Sequence, residues 1–303
     1  MHRSRSLNVE RSGQRVFASG TLVLAACLLT GCRGAPLADM TRLTDARQVA
    51  ADALVQFIKT ADAGNRAVMA DTDETSETFA REAEGAADAV SRDSESLTGL
   101  LGSLGYADEL RVLQEFTGRF AEYRALDRTI LQLAVENTNL KAQKLSFGPA
   151  QVEADSFLDA LQAIEAPSAA PPDLRVQANI ATAVAAVREV QALQAPHIAE
   201  SDEAAMTRLE GRAIRAEAEA RRSMVLLEGV VPPKSRLNLS VAARALDRFM
   251  ALNGQIVTLS RRNTNVRSLA LSLGQKRTLT AACEERLQAL QDALARRGFT
   301  GTR

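Results

Sequence analysis

Few residues of this chain have the types and spacing that acid–base, nucleophilic or metal chemistry requires. The only histidines are His2 and His197, so a Ser-His-Asp arrangement or a histidine-rich metal site in the body would depend on His197 alone. Glu200 follows His197 by three residues, but di-iron bundles use Glu-x-x-His in that order, twice. There is no haem-attachment motif and no phosphate-binding glycine motif. We therefore expect no enzymatic activity, no metal and no cofactor, and we predict that His197, after Pro196, is a loop residue.

Cys32 is the one residue whose neighbourhood predicts a specific chemistry. A leader with four arginines precedes an apolar run from Val16 to Leu29, and the run ends in Leu-Thr-Gly-Cys at residues 29–32. This pattern resembles the signal peptide and lipobox of bacterial lipoproteins. The resemblance implies that the thiol of Cys32 takes a diacylglycerol and that cleavage falls between Gly31 and Cys32. The alternative is an uncleaved anchor, but the run is shorter than the about 20 apolar residues of a membrane-spanning helix.

Processing at this position defines the mature chain. Residues 1–31 would be the signal peptide, and residues 32–37 the lipidated amino terminus and its tether to the membrane. Residue 33 is Arg, not the Asp that retains many lipoproteins in the inner membrane, which favours the outer membrane and a periplasm-facing body. The mature chain has 33 basic and 36 acidic residues, which does not favour nucleic-acid binding. Cys283 would be its only cysteine beside Cys32, and we predict that it is a core residue.

The body has the composition and periodicity of an all-α protein. Alanine, leucine, glutamate, arginine and glutamine dominate, and tryptophan is absent. Apolar residues recur at steps of three and four in two long segments, which predicts one buried stripe on each of two helices. The stripes are Leu113, Phe116, Phe120, Tyr123, Leu126, Ile130 and Leu133, and Leu239, Ala242, Leu246, Phe249, Leu252, Ile256 and Leu259.

An internal repeat relates the two halves of the body. Shifting the sequence by 126 positions aligns residues 125–133 with 251–259, Asn-Thr-Asn at 137–139 with 263–265, and residues 145–148 with 271–274. Breaks between apolar segments divide each half into four helices. We predict two tandem up-down four-helix bundles with eight long helices, at residues 38–166 and 173–303, joined by a proline-rich linker at 167–172.

Two interpretations of the Asn-Thr-Asn segments remain open. The third helix of each half either ends there in a turn, or continues through it with Asn137 and Asn263 on the apolar stripe. We prefer the turn, because it gives four helices of similar length and because asparagine favours caps and left-handed backbone. Pro149 would then kink the fourth helix of the first bundle.

The segment from Leu259 to Leu271, followed by Leu-Gln-Ala-Leu at 287–290, resembles a region of the four-helix-bundle sensor domains of methyl-accepting chemotaxis receptors and sensor kinases. In those domains an Asn-containing turn precedes a helix that packs small and leucine residues. The resemblance implies an extracytoplasmic ligand-binding bundle. Unlike those receptors, this chain has no membrane spans around the bundle and no signalling module after it, so any signal would need a partner.

The candidate ligand-binding residues are amides near the Asn-Thr-Asn breaks and aromatic residues of the first bundle, which holds most of the aromatic residues. Caps and ordinary core packing explain the same residues without a ligand. Our leading hypothesis is a lipid-anchored, sensor-like protein that binds a small molecule or a membrane-bound signalling partner. The alternative is a structural or protein-interaction lipoprotein of the envelope without a small ligand. The candidates are Asn137, Asn139, Asn263, Asn265, Tyr123 and Phe120.

Overall fold

A computed structural model describes residues 35–164 and 173–297, and within these ranges the chain is helical without strands. The predicted all-α class is confirmed. Six helices in these two ranges contain 26 residues or more, instead of the eight long helices expected. The helices are α1 (Ala35–Met69), α2 (Asp73–Leu104), α3 (Ala107–Glu136), α4 (Thr138–Leu145), α5 (Gln151–Gln162), α6 (Leu174–Ala199), α7 (Glu203–Val230), α8 (Arg236–Arg262), α9 (Thr264–Leu271) and α10 (Arg277–Arg297).

Local sequence signals set the helix ends. At the start of α2 the hydroxyl of Thr72 accepts a hydrogen bond from the backbone N–H of Thr75, 3.1 Å away. Gly105 ends α2 with a φ of 71°, a left-handed conformation that glycine adopts without steric cost. Asp202 caps α7 in the same way as Thr72 caps α2.

The helices surround two main hydrophobic cores, and each core takes helices from both halves of the sequence. One core contains side chains of α1, α2, α3 and α10, which with α9 we call the first group. The other contains side chains of α4, α5, α6, α7 and α8, the second group. The predicted division into 38–166 and 173–303 does not follow this packing, because the fourth helical segment of each half packs in the other group.

The exchange takes place at the Asn-Thr-Asn segments. α3 ends before Asn137 and α8 before Asn263, and both asparagines are left-handed, with φ of 50° and 53°. The helix is therefore interrupted there, as we preferred, but the chain does not fold back on its own group. It continues from α3 into α4 and α5 of the second group, and from α8 into α9 and α10 of the first.

A π-helical turn follows each crossing. The turns are Ser146–Ala150, which contains Pro149, and Ser272–Lys276, and they connect α4 to α5 and α9 to α10. The two turns occupy equivalent positions, separated by the same 126 residues as the two left-handed asparagines. A π-helical turn rotates the side chains that follow it relative to those before it, and it buries Ala150 and Lys276 at its end.

Candidate functional site

The four predicted asparagines meet at the crossing of the two chain segments. The amide of Asn139 donates to Oδ1 of Asn263 at 2.8 Å, and the amide of Asn265 donates to Oδ1 of Asn137 at 2.8 Å. The backbone N–H groups of Asn139 and Asn265 donate to each other's side chains at 3.1 and 3.2 Å. The reciprocal pattern is that of a two-fold interface. These amides hold the crossing together, and none of them lines the cavities described below.

The two predicted aromatic residues lie in the first core. Phe120 stacks on Phe116 at a centroid distance of 5.5 Å, and Tyr123 meets the edge of Phe57 at 5.1 Å. Phe120 is thus a packing residue. Tyr123 is fully buried, but its hydroxyl has no hydrogen-bond partner in the described part of the chain. Because a buried hydroxyl without a partner is costly, Tyr123 marks a polar position inside the core.

A buried ion pair lies one helical turn beyond Tyr123. Nζ of Lys276, at the end of the second π-helical turn, is 2.6 Å from Oδ1 of Asp127 on α3, and their side chains are only 2% and 5% exposed. The ammonium also lies 5.7 Å from the Tyr123 ring centroid. A Cβ atom at Gly64 on α1 would overlap Nζ, so a larger residue at position 64 would require the end of the Lys276 side chain to shift. We call Tyr123, Asp127 and Lys276 the ionic layer.

Burial dominates the electrostatics of this layer. It raises the pKa of the Asp127 carboxyl, against the opposing attraction of Lys276. Burial, with a smaller contribution from the charge of Asp127, also raises the pKa of the Tyr123 hydroxyl. The hydroxyl therefore stays protonated and remains a donor without an acceptor, beside a carboxylate that depends on one ammonium for its charge balance.

The equivalent layer of the second group is neutral. A shift of 126 positions places Phe249 at Tyr123, Asn253 at Asp127 and Ala150 at Lys276. There the Ser146 hydroxyl donates to Oε1 of Gln194 at 2.7 Å, and the Gln194 amide donates to Asn253 at 3.0 Å. Amides and hydroxyls satisfy each other in this layer without a buried charge. The ionic layer is therefore an addition specific to one of the two groups.

A surface groove reaches the ionic layer between α2 and α3. A cavity of about 220 Å³ has Asp127 among its lining residues, and a neighbouring cavity of about 410 Å³ shares Glu84 and Leu131 with it. We call the two cavities together the α2/α3 groove. The first is lined by Glu84, Ala87, Asp88, Arg124, Asp127, Arg128 and Leu131, and the second by Ala80, Glu84, Leu131, Gln132, Val135 and Glu136.

The charged residues of the groove are only partly paired. The guanidinium of Arg124 bonds to Asp88, and it also donates to the Ser91 hydroxyl at 3.0 Å. Within residues 35–164 and 173–297, neither Arg128 nor Glu84 has an ion-pair partner. At the position of Arg128 the second half of the chain has Gly254, a fourth difference between the halves at the same place. Among the described residues, Arg128 and Glu84 are therefore the unpaired cation and anion of the groove next to the ionic layer.

His197 is not a loop residue, contrary to our prediction. It is buried in the last turns of α6, where Nδ1 shares a hydrogen bond with the Ser260 hydroxyl and Nε2 lies 2.8 Å from Oε1 of Glu210. Arg261 lowers the pKa of Glu210 most, with a further contribution from His197 that acts against burial. The Ser-His-Glu order resembles a hydrolytic triad, but Ser260 is fully buried and the adjoining void holds about 10 Å³, room for a single water.

Cys283 is fully buried in the first core, as predicted, and burial raises the pKa of its thiol to about 12. Cys32 and the cleavage site lie outside the described residues. Among the residues that are described, no group of three or more His, Cys, Asp and Glu is placed to hold a metal ion. None of the described helices is both long and apolar enough to cross a membrane.

Sequence reasoning missed the ionic layer, although the signal was present in the repeat. The alignment of residues 125–133 with 251–259 already sets Asp127 against Asn253 and Arg128 against Gly254. A charged residue aligned with a neutral one on the buried side of a helix could have indicated a buried charge in the first half. Comparison of the chain with known protein families, with curated proteins and with solved structures finds no match.

Proposed function

We propose that this chain is a lipid-anchored, sensor-like protein of the bacterial envelope that binds a small polar molecule in the α2/α3 groove. The observation that carries the proposal is the groove itself, which leads from the surface to the buried ionic layer. A buried Lys-Asp pair is weak evidence for stability, because a neutral layer of similar volume serves as well, and the second group has one. A binding role explains why only the first group holds these charges.

The architecture that accompanies this proposal is a pair of four-helix bundles, built from an internal repeat with exchanged fourth helices. The shared 126-residue spacing of the left-handed asparagines and of the π-helical turns supports the repeat. Each bundle would then consist of three helices of one half and the fourth helical segment of the other.

The anchor in this proposal is Cys32, acylated after cleavage behind Gly31, with the body in the periplasm and the outer membrane as the favoured location. Several acyl chains on one residue would hold the protein stably at a membrane surface. A lipid in one leaflet carries no signal across the bilayer. Binding in the groove would therefore be reported through a membrane-bound partner that reads the surface of the helices.

The alternative is a structural or protein-interaction lipoprotein without a small ligand. Exposed apolar side chains at equivalent positions of the two π-helical turns favour it, because Phe147 is 67% and Leu273 is 66% exposed. A partner protein that recognises both turns would use these side chains. In that case the ionic layer would serve only to fix the packing of α3 against α10.

Native mass spectrometry of the mature protein, purified from membranes after crosslinking, tests the proposal. We expect a chain that begins at acylated Cys32, together with a copurified small molecule that is lost when Asp127→Asn and Lys276→Ala are introduced together. Cys32→Ser should leave the protein unprocessed and without the acyl chains. A stoichiometric protein partner without any small molecule would favour the alternative, and an unmodified Cys32 would overturn the lipid anchor.

A further inference from the structure

The charged residues that line the α2/α3 groove form two facing acid–base couples, of which one is an ion pair and the other is not. α2 contributes Glu84 and Asp88 one turn apart, and α3 contributes Arg124 and Arg128 one turn apart. Arg124 and Asp88 neutralise each other. Arg128 and Glu84 line the same cavity but form no ion pair, and both remain available to a bound molecule.

Asp127, which also lines the cavity, adds a second carboxyl group. Its Oδ1 lies 2.6 Å from Nζ of Lys276, and no residue within 35–164 and 173–297 donates a hydrogen bond to its Oδ2. The charge of Glu84 adds a small contribution to the raised pKa of Asp127, so the two carboxyl groups lie near the same part of the groove. An ammonium group placed between them would gain two charge-assisted hydrogen bonds.

The other end of the groove combines an apolar strip with polar side chains. Ala80 on α2 and Leu131 and Val135 on α3 line it, together with Glu84, Gln132 and Glu136. Leu131 also packs against alanines of α1, which fixes the bottom of the groove. Because an apolar surface of this kind is favourable to bury, it suits an aliphatic or aromatic tail.

We propose that the α2/α3 groove binds a small zwitterion with an apolar tail, of the class of α-amino acids with aliphatic or aromatic side chains. The anionic group pairs with Arg128, and the ammonium lies between Glu84 and Oδ2 of Asp127. The side chain lies along Ala80, Leu131 and Val135. This assignment rests on the proposed function and names the ligand class of the same groove. An ethanolamine lysophospholipid also has an anionic group, an ammonium and an apolar tail, and the experiment separates it from an amino acid.

Isothermal titration of the full mature chain in detergent tests the ligand class. The amino-acid probes are L-leucine, L-phenylalanine and glycine, and an ethanolamine lysophospholipid is titrated in parallel. Two further probes are isopentylamine, which is leucine without its carboxylate, and 4-methylpentanoate, which is leucine without its ammonium. We expect saturable binding of leucine or phenylalanine, and binding at least about tenfold weaker for each molecule that lacks one of the two charged groups. Glycine should bind more weakly because it lacks the tail.

Variants locate the binding. Arg128→Gln and Glu84→Gln should each weaken the binding of leucine at least about tenfold, since each removes one charge-assisted contact. Val135→Thr keeps the shape but not the apolar surface, so it should weaken leucine and leave glycine unchanged. Arg208→Gln is the matched control, because Arg208 is also exposed and without an ion-pair partner among the described residues, but it lies on α7 in the second group.

Three outcomes would overturn the inference: no saturable binding of either amino acid at millimolar concentration, binding that survives Arg128→Gln, or binding at this groove of the lysophospholipid alone. Circular dichroism of each variant checks that a lost signal is not lost folding. If the amino acids fail while mass spectrometry still finds another molecule that depends on Asp127 and Lys276, the ligand class is wrong and the proposed function stands.

Discussion

Removing the ammonium of the ionic layer should destabilise the protein more than removing the whole ion pair does. In Lys276→Ala the carboxylate of Asp127, whose side chain is 5% exposed, stays buried without its cation. Breaking a buried pair in this way costs about 3–5 kcal/mol, which is a large part of the stability of an ordinary domain. The second group supplies the control, since it has Ala150 and Asn253 at the same two positions. We expect the double variant Lys276→Ala with Asp127→Asn to lie within about 1 kcal/mol of the natural chain, because replacement of a whole buried pair is often neutral.

The pH dependence gives this prediction a definite sign. Burial already raises the pKa of Asp127 above its usual value of 3.8, and Lys276 is the group that opposes the rise. Without Lys276 the pKa rises further, so the folded state binds a proton more readily than the unfolded state does. Stability of the single variant therefore falls as the pH rises from about 4 through the folded pKa. The double variant has no carboxyl at this position and does not share that fall.

Urea denaturation followed by circular dichroism, at pH 4 and at pH 7, measures both quantities. The difference in unfolding free energy between the single and the double variant should be about 3 kcal/mol or more at pH 7, and smaller at pH 4. If the single variant is as stable as the double variant at pH 7, Asp127 is not held in a dry core. A difference that is unchanged at pH 4 would equally refute the assignment of the loss to an unpaired carboxylate.

Four further predictions follow from other parts of the structure. A protease site introduced within residues 165–172 should yield, after cleavage, two fragments that elute together in gel filtration until denatured, because each core takes helices from both; separate elution would exclude the exchange. Gly64→Ala should destabilise the natural chain in urea denaturation by displacing the ammonium of Lys276. It should destabilise the Lys276→Ala chain less, because only Oδ1 of Asp127, 3.1 Å from the added Cβ, then has to shift, and equal losses in the two chains would refute this. Asn263→Gly should have a free energy of unfolding about 1 kcal/mol higher than that of Asn263→Ala, because the left-handed φ of 53° suits glycine; equal stabilities in urea denaturation would refute this. The pKa of Glu210 lies below its usual value of 4.5, so its contribution of about 1 kcal/mol should be present above pH 4.5 and lost as the pH falls through the folded pKa; Glu210→Gln should then match the natural chain in acid and be less stable at pH 7.

Sequence alone predicted the helices well, because helix formation and the burial of one face depend on residues a few positions apart. Leu113, Phe116 and Ile130 lie on a predicted stripe and are all buried. His197 was misplaced for a local reason as well. Pro196 before it indicated a loop, but α6 continues to Ala199, where His197 finds partners on α7 and α8 that no local pattern reveals.

The sequence did not predict that the fourth helical segment of each half packs in the other group. The stripes that contain Phe157 and Cys283 are both apolar and lie 126 positions apart in the sequence, so either could fill either core. The crossing takes place at Asn137 and Asn263, which are both left-handed. Asparagine is typical of a turn as well as of this crossing, and only the reciprocal contacts distinguish the two.

The exchange also determines where the ionic layer can exist. Tyr123 and Asp127 belong to the first half of the chain, whereas Lys276 belongs to the second, on a segment that reaches them only by crossing at Asn263. The groove that leads to Asp127 lies on α3, and the same chain continues through Asn137 into the core of the second group. A molecule bound there contacts α3 of the first group, and the chain that follows α3 packs in the second group. The Lys276–Asp127 pair thus joins the two halves of the chain next to the candidate site, and Lys276→Ala removes this contact.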